Sequence, residues 1–270
     1  MQTVKEEAKG VVNPHLAREK FRLARYLPEG RCAECLDHFW IVEWNLQEQP
    51  AFTQKTLPYP CVNLVFDRGR TAVFGVVSGA YDYTLSGSGK VLGLRFKPGG
   101  FYGLLKAPLS SITDKSLSLQ ASLGCDDAMA EGRVFADTSD QQMVAAASAL
   151  LLPLLPPIDP QVEQIQQWLM LLQQDTSITR VEDFAERTGY KLRTLQQLFS
   201  NYIGVSPKWV LRRYRLHEVA SQLASGNKLD LTQLALELGY FDQAHLSKDF
   251  KHLIGCSPAA YRSQEQARKT

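Results

Sequence analysis

Arg193, Gln196 and Gln197 are side chains that can read nucleobases, and their spacing brings them together. At i, i+3 and i+4 they share one face of a helix, turned away from Leu195, Leu198 and Phe199. A guanidinium pairs well with the O6/N7 edge of guanine and a carboxamide with adenine, so this face carries readout chemistry. Gln243, Ser247 and Lys248 form a second set, outside Leu246, Phe250 and Leu253. Residues 187–217 hold Arg187, Lys191, Arg193, Lys208, Arg212, Arg213 and Arg215 with no Asp or Glu, a charge pattern that suits a polyanionic partner and, taken alone, equally suits a solvated surface. Lys191, Thr194, Lys208, Arg212, Arg213 and His245 are the candidates for phosphate contact, with the amides at the helix starts.

Such side chains need rigid elements beneath them, and the sequence supplies these twice. GYKLRTLQQLFSNYIGVSP at 189–207 lines up with GYFDQAHLSKDFKHLIGCSP at 239–258. From Leu195/Leu246 onward the offset is 51, and Phe199/Phe250, Ile203/Ile254, Gly204/Gly255, Ser206/Ser257 and Pro207/Pro258 all match. A short amphipathic segment precedes each copy, VEDFAERT and LTQLALEL. Thr179-Arg180-Val181-Glu182 reads as a capping box opening the first short helix, with Gly189 as its left-handed stop. Asp230-Leu231-Thr232-Gln233 reads likewise, with Leu229 and Leu234 as a hydrophobic staple and Gly239 as the stop. The second helices are predicted at 192–202 and 242–253, so each copy is a helix, a Gly-bearing turn and a helix, the helix-turn-helix pattern. Lys191 takes the N-cap of the first of these, where Ser or Thr would accept an orphan amide, so that helix is expected to start late or fray.

Between the copies, 207–224 reads as one helix, with Pro207 in its first turn, Gly226 beyond its end, and Leu216, Val219, Ala220 and Leu223 as its apolar stripe. At ~1.5 Å rise per residue this strut is ~27 Å long. With the widths of its flanking units added, it suits two recognition helices near the ~34 Å of one DNA turn. A helix from Pro160 places Ile165, Trp168, Leu169 and Leu172 over the first unit.

The longest motif, LGYFDQAHLSKDFKHLIGCSPAAYR at 238–262, matches LGY-x-D-Q-x-H-L-S-x-x-F-K-x-x-x-G-x-S-P-x-x-Y-R. That phrase is a hallmark of one family, and residues 160–265 resemble the DNA-binding domain of the AraC-type (AraC/XylS) transcription regulators. The resemblance implies two helix-turn-helix units joined by a central helix, with double-stranded promoter DNA and RNA polymerase as partners. Arg193, Gln196 and Gln197 align with the family's base-reading positions, and Gln243, Ser247 and Lys248 are their equivalents in the second unit. Ala244, aligned with Arg193, offers only an apolar contact, so the first unit is expected to contribute more base specificity.

Pro153, Pro156, Pro157 and Pro160 in LPLLPPIDP mark a seam between domains at 1–156 and 160–270. Ahead of it, 57–96 runs in short stretches such as VNLVF, TAVFGVV and KVLGLRF, broken by DRGR, SGA and SGSG. That reads as an antiparallel sheet or small barrel. Residues 101–152 turn helical and nothing after the seam reads as strand, so the fold class is α+β. The stretch 21–119, GLRFKPGGFYGLL and PLSSITDKSL above all, resembles the cupin-like N-terminal domain that precedes this DNA-binding module in a subset of the family, which implies an antiparallel β-barrel with flanking helices. A barrel mouth is a usual ligand site, and the expected role of this half is sensing a small-molecule effector. Trp40, Tyr59, Tyr81, Tyr83 and Arg95 are the candidates to line it, Arg95 anchoring an acidic group, although aromatics on strands commonly serve as plain core.

Thirty basic and 28 acidic residues give +2 overall, which resolves into −1 for residues 1–159 (16 and 17) and +3 for residues 160–270 (14 and 11). Five cysteines in 270 residues fit a reducing cytoplasm better than a disulfide scaffold. Cys32-x-x-Cys35-x-x-His38 is the one suggestive metal or redox trio, it lacks a clear fourth ligand, and only His15 and His38 lie in the front half. The alternative function is a cupin-like small-molecule or metal-handling protein with secondary DNA binding. No Gly-rich phosphate loop or nucleophile elbow is present, so neither an enzyme nor a bound cofactor or metal is expected. MQTVKEEAKG is not a signal peptide, and the apolar stretch 143–155 is short of the ~20 residues that span a bilayer. The helix at 139–152, with Met143, Ala146, Ala147, Leu150 and Leu151, is either a homodimer contact or packs onto the sheet.

Overall fold

The computed structural model describes residues 2–4, 14–56, 59–137, 139–157, 159–225 and 230–267, without the side chains of 14–16, 224–225 and 265–267. The His15 side chain, the Gly226 stop and the Leu229 staple therefore lie outside the described residues. The backbone divides into two units, residues 1–166 with 200–204, and residues 167–199 with 205–270.

In the first unit the strands form two antiparallel sheets. The larger holds β1 (Arg22–Tyr26), β2 (Leu36–Leu46), β7 (Gly87–Phe96), β4 (Asn63–Phe66), β5 (Ala72–Phe74) and β8 (Ser116–Leu117), in that order, and the smaller pairs β3 (Phe52–Thr56) with β6 (Tyr81–Leu85). Alternation sorts the residues of the larger sheet onto two faces. Phe39, Ile41, Leu64, Leu92 and Leu94 form one face and share a core with Met143, Val144, Ala147 and Leu151. Trp40, Val42, Trp44, Val65 and Val91 form the other and pack with Phe52, Tyr83 and Leu85 of the smaller sheet. The larger sheet is open: β1 and β8 are its edges, and two-residue β8 pairs only with β5. The expected closed barrel is therefore not formed, because closure requires the last strand to return to the first.

Helices α1 (Pro14–Lys20), α2 (Cys32–Cys35), α3 (Tyr102–Leu105), α4 (Leu119–Leu123), α5 (Asp127–Val134) and α6 (Asp140–Leu151) complete this unit. The α6 start is fixed twice. Ser139 Oγ caps it at 3.4 Å from the Gln142 amide. Asp140 accepts both Nη atoms of Arg22 at 2.8 and 2.9 Å, the Tyr26 hydroxyl at 2.5 Å and Lys90 Nζ at 2.8 Å. Of the α6 stripe, Met143, Ala147 and Leu151 are at most 2% exposed in the core shared with the sheet, while Ala146 and Leu150 pack against it partly buried.

The second unit is helical, as expected: α7 (Pro160–Gln174), α8 (Val181–Thr188), α9 (Leu192–Tyr202), α10 (Pro207–Ser225), α11 (Leu231–Glu237), α12 (Gln243–Ile254) and α13 (Pro258–Ala267). Helix α7 begins in the first unit and α9 ends there. Gly189 and Gly239 stop α8 and α11 at φ +71° and +77°. Asp230 caps α11 through the amides of Thr232 (2.8 Å) and Gln233 (3.2 Å), and Asp242 caps α12 through that of His245 (2.7 Å). The first capping box sits one residue later than the sequence suggests. Arg180 takes the N-cap and its amide donates to Asp183 Oδ2 at 3.1 Å, Asp183 standing at the third helical position where a capping-box acceptor belongs. Helix α9 starts at Leu192, directly after Lys191, so it does not start late.

No helix among the described residues is long and apolar enough to cross a membrane.

Candidate functional site

Each reading helix stands on an aromatic and aliphatic floor. Leu195 and Phe199 are fully buried under α9, where Phe199 meets Phe184 edge-on at 5.8 Å and Phe184 meets Trp168 at 6.2 Å. Leu246 and Phe250 are fully buried under α12, with Tyr261 against Phe250 at 5.7 Å. What is left outside is the expected face. Arg193, Thr194, Gln196, Gln197, Gln243, Ala244, His245 and Lys248 are all exposed, and Ser247 is half-buried.

The basic window divides. Lys191, Lys208 and Arg212 are exposed, whereas Arg213 and Arg215 are 1% and 2% exposed. Arg213, expected at phosphate, is thereby corrected to an interior residue of α10. It follows Arg212 by one position, and 100° of helical rotation carries it from the outer face into the core. Arg215 is likewise structural, its guanidinium donating to the carbonyls of Asp175 at 2.7 Å and Ile178 at 2.8 Å and so tying α10 to the α7–α8 turn.

Arg212 itself is engaged. It forms an ion pair with Asp249, whose side chain is 10% exposed on α12, and His245 Nε2 lies 4.0 Å from the same carboxylate. This links the strut to the second reading helix, a positioning role that sequence reasoning missed because Asp249 falls on the inward side of α12. A double-mutant cycle of Arg212→Ala and Asp249→Asn in urea unfolding is expected to give a coupling of about 1 kcal/mol. A coupling of zero would remove this link.

In the first unit all five residues expected at an effector site line one cavity of about 490 Å³ between the two sheets. Its polar members fall in rows set by strand register. His38 of β2, Arg95 of β7 and Asn63 of β4 share one row, and Trp40, Gly93 and Val65 the next. The Tyr59 ring lies under Arg95, 4.0 Å from its guanidinium carbon, and Arg95 Nε is 3.5 Å from Asp37. Asp37 also meets His38 Nδ1 at 3.1 Å. Burial, reinforced by Arg95 and opposed by Asp37, pushes the His38 pKa down and leaves the imidazole neutral near pH 7. At the far end Asp67 accepts from Tyr83 Oη at 2.8 Å and pairs with Arg70 at 3.0 Å. Asn63, Asp67 and Arg70 were missed in the sequence, although the alternation in VNLVFD puts Asn63, Val65 and Asp67 on one face.

The Cys32, Cys35 and His38 trio does not assemble as a ligand set. Among the described residues no group of three His, Cys, Asp or Glu is placed to hold a metal ion. Cys32 is buried, and burial pushes the Cys35 thiol up to about 12, the opposite of a reactive thiolate.

Comparison with known proteins gives two matches along the chain. Residues 184–264 match a helix-turn-helix domain family, and residues 24–118 match a domain of unknown function (DUF6597). The second unit thus carries a helix-turn-helix domain, the class of module that its paired short helices define. It is a domain of the AraC type, and relatives that share it are transcription regulators. A putative HTH-type transcriptional regulator of Escherichia coli (strain K12), YkgA, is 35% identical over 107 residues, 38% of this chain and 42% of that protein. The HTH-type transcriptional regulator ExsA of Pseudomonas aeruginosa is 30% identical over 84 residues, 31% of this chain and 30% of that protein. The chain therefore spans less than half the length of these two relatives. Among solved structures, the DNA-binding domain of AdpA in complex with a target DNA is similar over 42% of this chain and 97% of its own, at 28% identity and a TM-score of 0.33. Unsaturated fatty acid-bound ToxT of Vibrio cholerae covers 90% of this chain and 95% of its own, at 14% identity and a TM-score of 0.36.

Proposed function

We propose that this chain is a sequence-specific DNA-binding transcription regulator whose output is set by a small-molecule effector in the first unit. The observation that carries the reading is the exposed set Arg193, Gln196 and Gln197 on a buried Leu195/Phe199 floor, repeated in the second copy by Gln243 and Lys248 over Leu246/Phe250. Backbone phosphates would meet Lys191, Thr194, Lys208 and His245, with Arg212 contributing through whatever of its guanidinium Asp249 leaves exposed. The domains are read as 1–156 for sensing and 160–270 for DNA, and the two sheets enclosing a cavity support a cupin-like ancestry for the first despite its open edge. Promoter DNA and RNA polymerase are the proposed partners and the cytoplasm the proposed place. A homodimer formed through α6 would use its outer side, around Ala145, Ala149 and Leu152, beside the partly buried Ala146 and Leu150.

The test is selection of binding sites from random-sequence duplexes by the full chain, followed by the same selection with Arg193→Ala. The variant is expected to lose about 1–3 kcal/mol of discrimination at one base position and to keep the rest of the site. An unchanged selected motif would displace Arg193 from the bases, and recovery of no motif by the natural chain would overturn the function.

A further inference from the structure

The cavity between the sheets has a built floor and an asymmetric wall, and together they specify a ligand class. The floor is Trp40, whose indole lies across Gly93 of the neighbouring strand. A Cβ on Gly93 would stand 1.9 Å from Trp40 Cε2, so only glycine leaves room for the ring to lie flat there. Trp40 Nε1 donates to Asn63 Oδ1 at 3.3 Å, which fixes the indole in its plane. Aromatic side chains from both sheets and the loop line the same cavity, among them Phe74, Tyr59 and Tyr81.

The wall carries three arginines, Arg25, Arg70 and Arg95, and one carboxylate, Asp67. Asp67 is already held by Tyr83 and Arg70. The Arg95 end therefore presents cationic and neutral donors with no lining carboxylate, since Asp37 stands outside the lining and its side chain is half exposed. Arg95 lies two residues along β7 from Gly93, so the cationic row is offset from the Trp40 row by about 7 Å of backbone along the strand.

We infer that the cavity takes a two-ring aromatic monocarboxylate, its carboxylate against Arg95 and a ring stacked on Trp40. The two rows are spaced for an acid with a second ring beyond the carboxylate-bearing one, and a paired Arg–carboxylate contact would orient it. This deepens the effector reading of the first unit and rests on it.

The experiment is isothermal titration of the full chain with biphenyl-4-carboxylate, with its neutral isostere biphenyl-4-carboxamide, and with decanoate. The biphenyl acid is expected to bind at least about tenfold more tightly than the amide, and more tightly than the flexible chain. Arg95→Gln should bring acid and amide to equal affinity, and Trp40→Leu should weaken both alike while keeping the preference. Equal affinity of acid and amide for the natural protein, a preference surviving Arg95→Gln, decanoate binding as well as the biphenyl acid, or no saturable binding of any probe would each overturn the assignment. The acid-against-amide comparison on the natural chain stands even if Arg95→Gln does not fold. Operator binding without ligand reports on the DNA reading alone, so failure of one is distinguishable from failure of the other.

Discussion

Replacing Phe199 by Ala should destabilise the second unit by about 3–5 kcal/mol, the cost of removing a fully buried aromatic ring and leaving a cavity behind it. The ring is 0% exposed and closes the stack that runs through Phe184 to Trp168, with Tyr190 against Trp168 at 5.0 Å. Nothing else on α9 reaches that depth except Leu195. Leu198, expected to be equally inward, is only half-buried, so Leu198→Ala should cost about 1 kcal/mol. Urea unfolding followed by amide exchange in α8 and α9 separates the two. If both variants cost the same, the floor beneath the reading face is not built as described. Since Arg193, Gln196 and Gln197 project from the helix that this floor seats, Phe199→Ala should also blur the selected DNA motif at temperatures where the unit is still folded.

The second large effect is expected at Asp140. Asp140→Ala should lower the stability of the first unit by about 2–4 kcal/mol, because it leaves Arg22, Lys90 and the Tyr26 hydroxyl without the acceptor they share. The Asp140 side chain is 14% exposed while Arg22 is 46% exposed, and solvent screening of Arg22 keeps the figure below that of a fully enclosed pair. Hydrogen bonds from Arg22, then Lys90 and Tyr26, hold the Asp140 carboxyl well below the usual carboxylate range. A depressed carboxyl contributes stability that is complete above its unfolded pKa of about 3.9 and is lost as pH falls toward the folded value. The natural protein should therefore lose stability below about pH 4 more steeply than Asp140→Ala. Parallel acid limbs in unfolding curves taken from pH 6 to pH 2 would count against this linkage.

The sequence carried the second unit nearly whole, and the reason is local. Caps, stops and turn glycines act over three or four residues, and the 51-residue repeat cross-checks each of them, so α9, α10 and α12 fall within a residue or so of expectation. The capping box misplaced from Thr179 to Arg180 is an error of the same small size. Arg213 shows where such reasoning ends. Its charge argued for solvent, but its position on α10 is set by the stripe Leu216, Val219, Ala220 and Leu223, and geometry overrides residue type. The first unit was less legible because strand partners are chosen across the whole domain. Short strands could be seen in the text of the sequence, while the order β1-β2-β7-β4-β5-β8 and the open edge could not. The five residues expected at an effector site nonetheless line one cavity, since Tyr81 and Tyr83 alternate on one strand while Trp40 and Arg95 lie on one face of paired neighbours. Asp140 and Asp249 went unnoticed because each is defined by partners distant in sequence.

The fate of the seven cations between positions 187 and 217 has a further consequence. Arg213 and Arg215 are interior, while Arg187 and Arg212 already face Asp175 and Asp249. Lys191 and Lys208, with Arg212 in part, are left to displace counterions at phosphate, and Arg193 is turned to the bases. Each phosphate neutralised adds about −0.9 to the slope of log affinity against log salt. This window would therefore contribute a slope of about −2 to −3 rather than about −6, so the grip on an operator would loosen far less as the ionic strength of the cell rises than the count of charges suggests.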